Sequence, residues 1–332
     1  MFNTVDSIPR SDISTVLMEA VGQEGLYIGN LLLPTYNSPT EVGRYPKFTT
    51  QESELLRAGR NPSAASTFNS STKRGQTGTY NEIDRKFTWD SFQTEEYGLE
   101  ERVDDVVASR MASFFDAEVV TAKTLGNALM LDYEMECAAT IMNASTFTAT
   151  NPKVNYTETL IATIDCPYDI NAAIERLTLK GEPPDTVVMS LTLWNQIRRS
   201  TKMQTYVYGF LNVSQGGSMI TEQMFAQAFG LSRLVIGKKS VDLAAKGLTS
   251  NLAPVWGNDY IAIGRFADGD FMNGGVGRTI VWDADSPGGL FTSESYRDEK
   301  RRSSVLRVRS NRVIKVVNSK AMELITTNYS AS

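Results

Sequence analysis

The sequence predicts an α+β chain with a long protruding β-hairpin, and three observations carry that prediction. Residues 64–80 read AASTFNSSTKRGQTGTY, with two aromatics, no Leu, Ile, Val or Met and no acidic group. Such a stretch cannot build a core of its own, yet Thr67, Phe68, Thr72, Thr77, Thr79 and Tyr80 suit strands. Residues 116–143 form an unbroken, proline-free run with a helical apolar stripe. Residues 160–285 then alternate short helices and strands, and the remainder of the chain returns to strands.

Composition sets the class. A chain of 332 residues with 41% apolar and 21% charged side chains is globular and long enough for several compact units. Its formal net charge of −5 gives it no general attraction to nucleic acid or to an anionic membrane. There is no histidine, so Ser-His-Asp, Cys-His and HExxH chemistry is excluded. Lysine, carboxylate and tyrosine chemistry stays open. Cys137 and Cys166 match no CxxC or metal-ligand spacing and read as buried packing residues, as expected in a reducing cytoplasm. No apolar run approaches the ~20 residues that span a bilayer. The N-terminus has no hydrophobic segment of the signal-peptide kind, so none is expected.

Residues 1–44 combine a helical patch, Ile13 to Val21, with extended segments interrupted by Pro34 and Pro39. They are expected to form an arm lying along other surfaces. Arg44 to Thr50 reads as a strand entering the hairpin, with Lys73-Arg74-Gly75-Gln76 at the tip. On the return arm Phe87, Trp89 and Tyr97 share one parity, so that face is expected to pack near the base. Arms of about 15 residues at roughly 3.3 Å each would carry the tip ~50 Å. An isolated two-stranded ribbon is marginal in water, so a neighbouring molecule is expected to stabilise it.

Residues 101–115 suit a short helix. Asp116 is the expected N-cap of the long helix, with Glu118 in its first turn favourable to the dipole. The stripe is Ala122, Leu125, Leu129, Tyr133, Cys137 and Ile141. Tyr168 to Leu179 is an amphipathic helix stopped by Gly181 and Pro183-Pro184. Asp185 to Met189 is a buried strand, and Ser190 caps the helix LTLWNQIRRS. The segment TEQMFAQAFG is a further helix, and Arg233 to Gly237 and Asp259 to Phe266 are strands. Thr292 to Tyr296, Ser304 to Arg309, Arg312 to Val317 and Ala321 to Ile325 close the chain as antiparallel strands. Turns are expected at Arg309–Arg312 and Asn318–Lys320.

Chemical motifs are few. GGVGRT (274–279) leads into a strand, and Gly230 to Gly237 leaves six residues where a P-loop needs about four. These glycines read as loop residues. Asp268, Asp270, Asp283 and Asp285 do not match the calcium-loop spacing and read as solvated acids. The segment 297–315 is basic, and Arg301, Arg302, Arg307, Arg309 and Arg312 are candidates for a cationic surface. No aromatic interleaves Lys300 to Lys315, which argues against base stacking. No cofactor-binding, metal or catalytic residue is assigned.

The order of parts resembles one family. SELLRAGRNPSAASTFNSSTKRGQTGTYNEIDRKFTW is similar to the E-loop of tailed-bacteriophage major capsid proteins, whose fold is named after phage HK97. EYGLEERVDDVV leading into the long helix, GEPPDTVVMSLTLWNQI, and VLRVRSNRVIKVVNSKAMELITTN resemble, in that order, the approach to the spine helix, the A-domain and the closing P-domain strands. The resemblance implies an HK97-like α+β fold: N-terminal arm 1–44, E-loop hairpin 45–97, P-domain 98–160 with its spine helix, A-domain 161–285 and returning P-domain strands 286–332. It implies self-assembly into hexamers and pentamers of an icosahedral shell around double-stranded DNA held without sequence specificity. The E-loop tip, Thr72, Lys73, Arg74, Gly75 and Gln76, would contact a neighbouring subunit. A separate scaffolding protein, a portal and a decoration protein are the implied partners. The implied location is the virion, after assembly in the host cytoplasm, with no membrane and no catalysis. The alternative is a nucleic-acid-binding protein using residues 297–315.

Overall fold

The computed structural model describes residues 8–9, 26–47, 88–112, 116–157, 163–211, 219–245, 247–266, 271, 274–287 and 289–329. The helical patch Ile13 to Val21, the hairpin arms over 48–87 with Phe87, and the tip residues Thr72, Lys73, Arg74, Gly75 and Gln76 lie outside the described residues. In chain order the elements begin β1 Ile8–Pro9, α1 Gly29–Leu32, β2 Thr35–Ser38, β3 Val42–Lys47 and β4 Thr88–Gln93. They continue β5 Glu95–Asp104, α2 Asp105–Met111, α3 Ala117–Ile141, β6 Thr148–Thr150, α4 Cys166–Leu179, β7 Thr186–Ser190, α5 Leu191–Ile197 and α6 Thr201–Leu211. Then come α7 Glu222–Phe229, β8 Arg233–Gly237, β9 Ser240–Asp242, β10 Leu252–Pro254 and β11 Tyr260–Gly264. The last are β12 Gly277–Trp282, β13 Thr292–Asp298, β14 Ser303–Val316 and β15 Met322–Thr326.

The long helix forms where its pattern places it. Asp116 Oδ1 accepts from the backbone N–H of Glu118 and Val119. Every residue of the expected stripe is buried. At about 1.5 Å per residue α3 is ~38 Å long. It lies across β5 and β14 of the first sheet.

That sheet is organised around β14, which pairs antiparallel with β5, β12 and β13. β1 adds to β13, and β2 runs parallel to β12. The turn expected at Arg309–Arg312 is absent, since β14 passes straight through. Ser310 and Asn311 sit opposite Tyr97 and Glu96 of β5 and are buried. Polar residues that look like a turn in isolation are held extended by ladder partners. The same pairing corrects the helix expected over 101–115. β5 stays extended to Asp104, whose Oδ1 then caps α2 by accepting from Val106 N–H at 2.8 Å.

The described parts of residues 1–44 also depart from expectation. Ile8–Pro9 pairs with β13 of its own chain. Ile28, Leu32 and Leu33 are buried in the chain's own core beside α3. Leu32 and Leu33 bury their side chains beside α3 while β2 pairs with the edge of β12, and both hold this stretch on its own chain.

The second sheet has the order β6-β15-β11-β7-β8. Alternate residues of its strands face two different cores. Val188, Val235, Ala262 and Leu324 join the core around α3. Val187, Met189, Ile236, Ile263 and Ile325 join the core under α4–α7. A sheet covered on both faces explains why β7 is buried throughout. Ser190 caps α5 as expected, its Oγ accepting from Leu193 N–H. Both cysteines are buried. Helix α6 was not anticipated, though Met203, Val207 and Tyr208 form its buried face.

Close packing fixes one glycine. A Cβ at Gly237 would lie 2.3 Å from Trp256 Cδ1. Gly237→Ala is therefore expected to cost about 1–3 kcal/mol by overpacking, read as a lower urea midpoint. An unchanged midpoint would show that the Trp256 ring is not seated there.

Candidate assembly interface

The root of the hairpin is a two-stranded ribbon. β3 and β4 pair antiparallel from Val42↔Gln93 to Lys47↔Thr88. Tyr45 and Phe92 turn inward onto Phe271, Ile280 and Val317. The Tyr45 and Phe271 rings lie 5.5 Å apart, and Lys47 Nζ is 2.6 Å from Asp90 Oδ2. The opposite face is open, with Val42 59% and Trp89 57% exposed. This corrects the expected parity: Phe92, not Trp89, anchors the ribbon. The pattern was misread because Trp89 is the larger apolar group, yet its register partner Pro46 sits on the outward face.

The cationic segment does not form one surface. Arg312 is fully buried, its guanidinium 4.2 Å from the Tyr97 ring centroid and 5.2 Å from that of Tyr133. Its Nη2 donates to Asp132 and Glu136 of α3 at 3.0 and 3.3 Å. Arg309 is half-buried between Asp285 and Glu294, and Arg307 donates to Glu100 at 3.0 Å. Only Arg301 and Arg302 of the five are exposed on the turn between β13 and β14. The correction has a simple cause. Acids from β5, β13 and α3 fold onto the arginines, and spacing along one strand cannot reveal them. Asp285, read from sequence as solvated, is one of those partners and also accepts from Asn311 Nδ2.

A residue that the sequence reading missed holds the parts together. Glu134 of α3 is fully buried, and among the described residues no cation contacts its carboxylate. Its oxygens accept from Ile28 N–H at 2.9 Å, Gly29 N–H at 2.7 Å and Trp256 Nε1–H at 2.6 Å. One side chain thus joins the N-terminal segment, the long helix and the link from β10 to β11. Burial raises its pKa despite the three donors. The signal was present: Glu134 stands four residues after buried Met130 and seven before buried Ile141, an apolar position on the wheel. Next to it, the Tyr133 hydroxyl lies 3.2 Å from the Leu33 carbonyl oxygen and 2.7 Å from Thr279 Oγ1. Among the described residues no group of three or more His, Cys, Asp or Glu is arranged to hold a metal. Asp268 and Asp270 lie outside them.

No protein-family model matches the sequence, and no curated protein does. Solved structures do. A phage-related protein from Bordetella bronchiseptica RB50 is 17% identical, with a TM-score of 0.70 over 97% of this chain and 98% of its own. The capsid structure of the cyanophage P-SCSP1u is 11% identical, with a TM-score of 0.54 over 91% of this chain and 87% of that one. A virus-like particle from Pyrococcus furiosus is also 11% identical, with a TM-score of 0.52 over 94% and 96%. The chain has an HK97-like α+β capsid fold.

The buried carboxyl has a pH signature. Because its folded pKa is raised, Glu134 favours folding most when protonated, and that contribution is lost as pH rises through the raised value. The stability of the native chain relative to Glu134→Gln should therefore fall from below the ordinary glutamate range toward neutral pH. Urea titrations across that range test it; a pH-independent difference would contradict the burial effect.

Proposed function

We propose that this chain is the structural major capsid protein of a tailed bacteriophage. It assembles into hexamers and pentamers of an icosahedral head that encloses double-stranded DNA, and it performs no catalysis. The end-to-end likeness in fold to a cyanophage capsid carries the reading. The ribbon adds support: it is anchored at its root by Tyr45 and Phe92, with Trp89 left outward. In the proposed shell the hairpin of residues 45–97, whose base is anchored on its own chain, reaches over an adjacent subunit, and Thr72, Lys73, Arg74, Gly75 and Gln76 make the contact. A separate scaffolding protein directs assembly, and portal and decoration proteins complete the particle. The protein forms shells in the host cytoplasm and ends in the virion.

The rival reading, a nucleic-acid surface along 297–315, is weakened because Arg307, Arg309 and Arg312 are already engaged by acids. Packaged DNA then meets a wall that tolerates it without strong adhesion, in keeping with the net charge of −5.

Expression with a scaffolding protein should give closed particles in sedimentation and electron microscopy. Persistent monomers under all such conditions would overturn the reading. Deleting residues 60–80 should leave a subunit with native circular dichroism that no longer assembles; normal particle yield would remove the hairpin from the assembly role.

A further inference from the structure

We infer that the turn between β13 and β14 is one half of a contact between copies of this chain, and that the free edge of β5 is the other half. The inference rests on the shell reading and names a partner surface for it.

The turn is a cationic tip. Arg297 is occupied by Asp105 at 2.5 Å and Glu299 at 3.5 Å, and Arg301 Nε reaches Asp298 at 4.0 Å. Those pairs absorb the local acids. Lys300 and Arg302 are exposed and form no ion pair among the described residues. Arg302 has φ +48°, a left-handed conformation uncommon for a long side chain. Its carbonyl accepts from Asp105 N–H at 3.2 Å, which sets the tip beside α2. Helix α2 buries none of its residues and exposes Val106, Val107 and Met111. Arg302 also acts on the Asp105 carboxylate at longer range, and the tip joins the exposed charges of Lys300 and Arg302 to an apolar patch.

The edge of β5 has the opposite sign. Among the described residues β5 pairs with β14 alone, so its other edge is open. The strand carries Glu95, Glu96, Glu100 and Glu101 against Arg102. Glu100 is engaged by Arg307, whereas Glu96 and Glu101 meet no cation among the described residues. Leu99 is exposed between them. The acidic excess of β5 disfavours pairing of two such edges, because most of its charges are alike. A cationic tip with an apolar flank is complementary to this edge. Tip and edge are different patches of one molecule, so the contact is head-to-side and can propagate around a ring.

Charge exchange tests the contact. Lys300→Glu with Arg302→Glu should keep native circular dichroism and lower particle yield by about tenfold or more through like-charge repulsion. Adding Glu96→Lys and Glu101→Lys should restore it. A doubly substituted chain that assembles normally, or a fourfold variant that stays unassembled, overturns the contact. Normal particles from the double variant that retain less DNA would assign the tip to phosphate instead. A second readout does not require shells. Subunits bearing Arg302→Cys, mixed with subunits bearing Glu101→Cys and oxidised, should give a disulfide-linked dimer that neither gives alone. Absence of that dimer also overturns the contact. Absence of wild-type particles while the dimer forms would count against the shell reading alone.

Discussion

A carboxylate sealed from water governs how this chain closes on itself. Among the described residues Glu134 meets no counter-ion, so its acceptors are met by N–H groups aimed at it. Those donors come from the adjacent Ile28 and Gly29 and from Trp256, which stand 106, 105 and 122 residues from Glu134. Ile28 and Gly29 belong to the start of a short helix, where backbone N–H groups lack helical partners. The acid and the donors thus solve each other's desolvation problem. Gly29 is needed because a Cβ there would lie 2.7 Å from Glu134 Oε2. The neighbouring residues of the same helical turn continue the closure, with Tyr133 on the N-terminal segment and Asp132 and Glu136 on Arg312.

The body and the periphery follow different rules. Within the body, both faces of the second sheet are covered and the long helix buries its whole stripe. At the periphery, β5 keeps an open edge among the described residues, α2 buries none of its residues, and the ribbon shows Trp89 to solvent. A chain meant to remain alone gains nothing from exposing these features. In the proposed shell they are where neighbouring copies sit. The donors gathered on Glu134 tie the body's parts together, while in the proposed shell the periphery offers its apolar and charged groups to neighbours.

Local chemistry made much of the fold legible beforehand. Asp116 and Ser190 act as caps because a short polar side chain before an apolar run has few other uses. The α3 stripe was readable because a helix repeats its face every three or four residues. The strand at Arg233–Gly237 appeared with its expected bounds. The resemblance in order of parts pointed to the fold that the solved structures share. By contrast, the candidate contact residues Thr72–Gln76 fall outside the described residues, and the five arginines were grouped only by proximity along the chain.

The sequence by itself determined the elements whose stabilising partners lie within a turn or two: caps, the long amphipathic helix and the short buried strands. Tertiary structure alone decided the continuity of β14 through Ser310-Asn311, the strand state of β5 up to Asp104, and the burial of Leu32 and Leu33 in their own chain. It also decided that Arg312 is a core residue and Glu134 a junction. The physical reason is common to all of these. Each depends on partners about a hundred or more residues away: apolar side chains of α3 for Leu32 and Leu33, and hydrogen-bond or charge partners for the polar positions, whose cost of burial is set by that partner's arrival and not by neighbours in sequence.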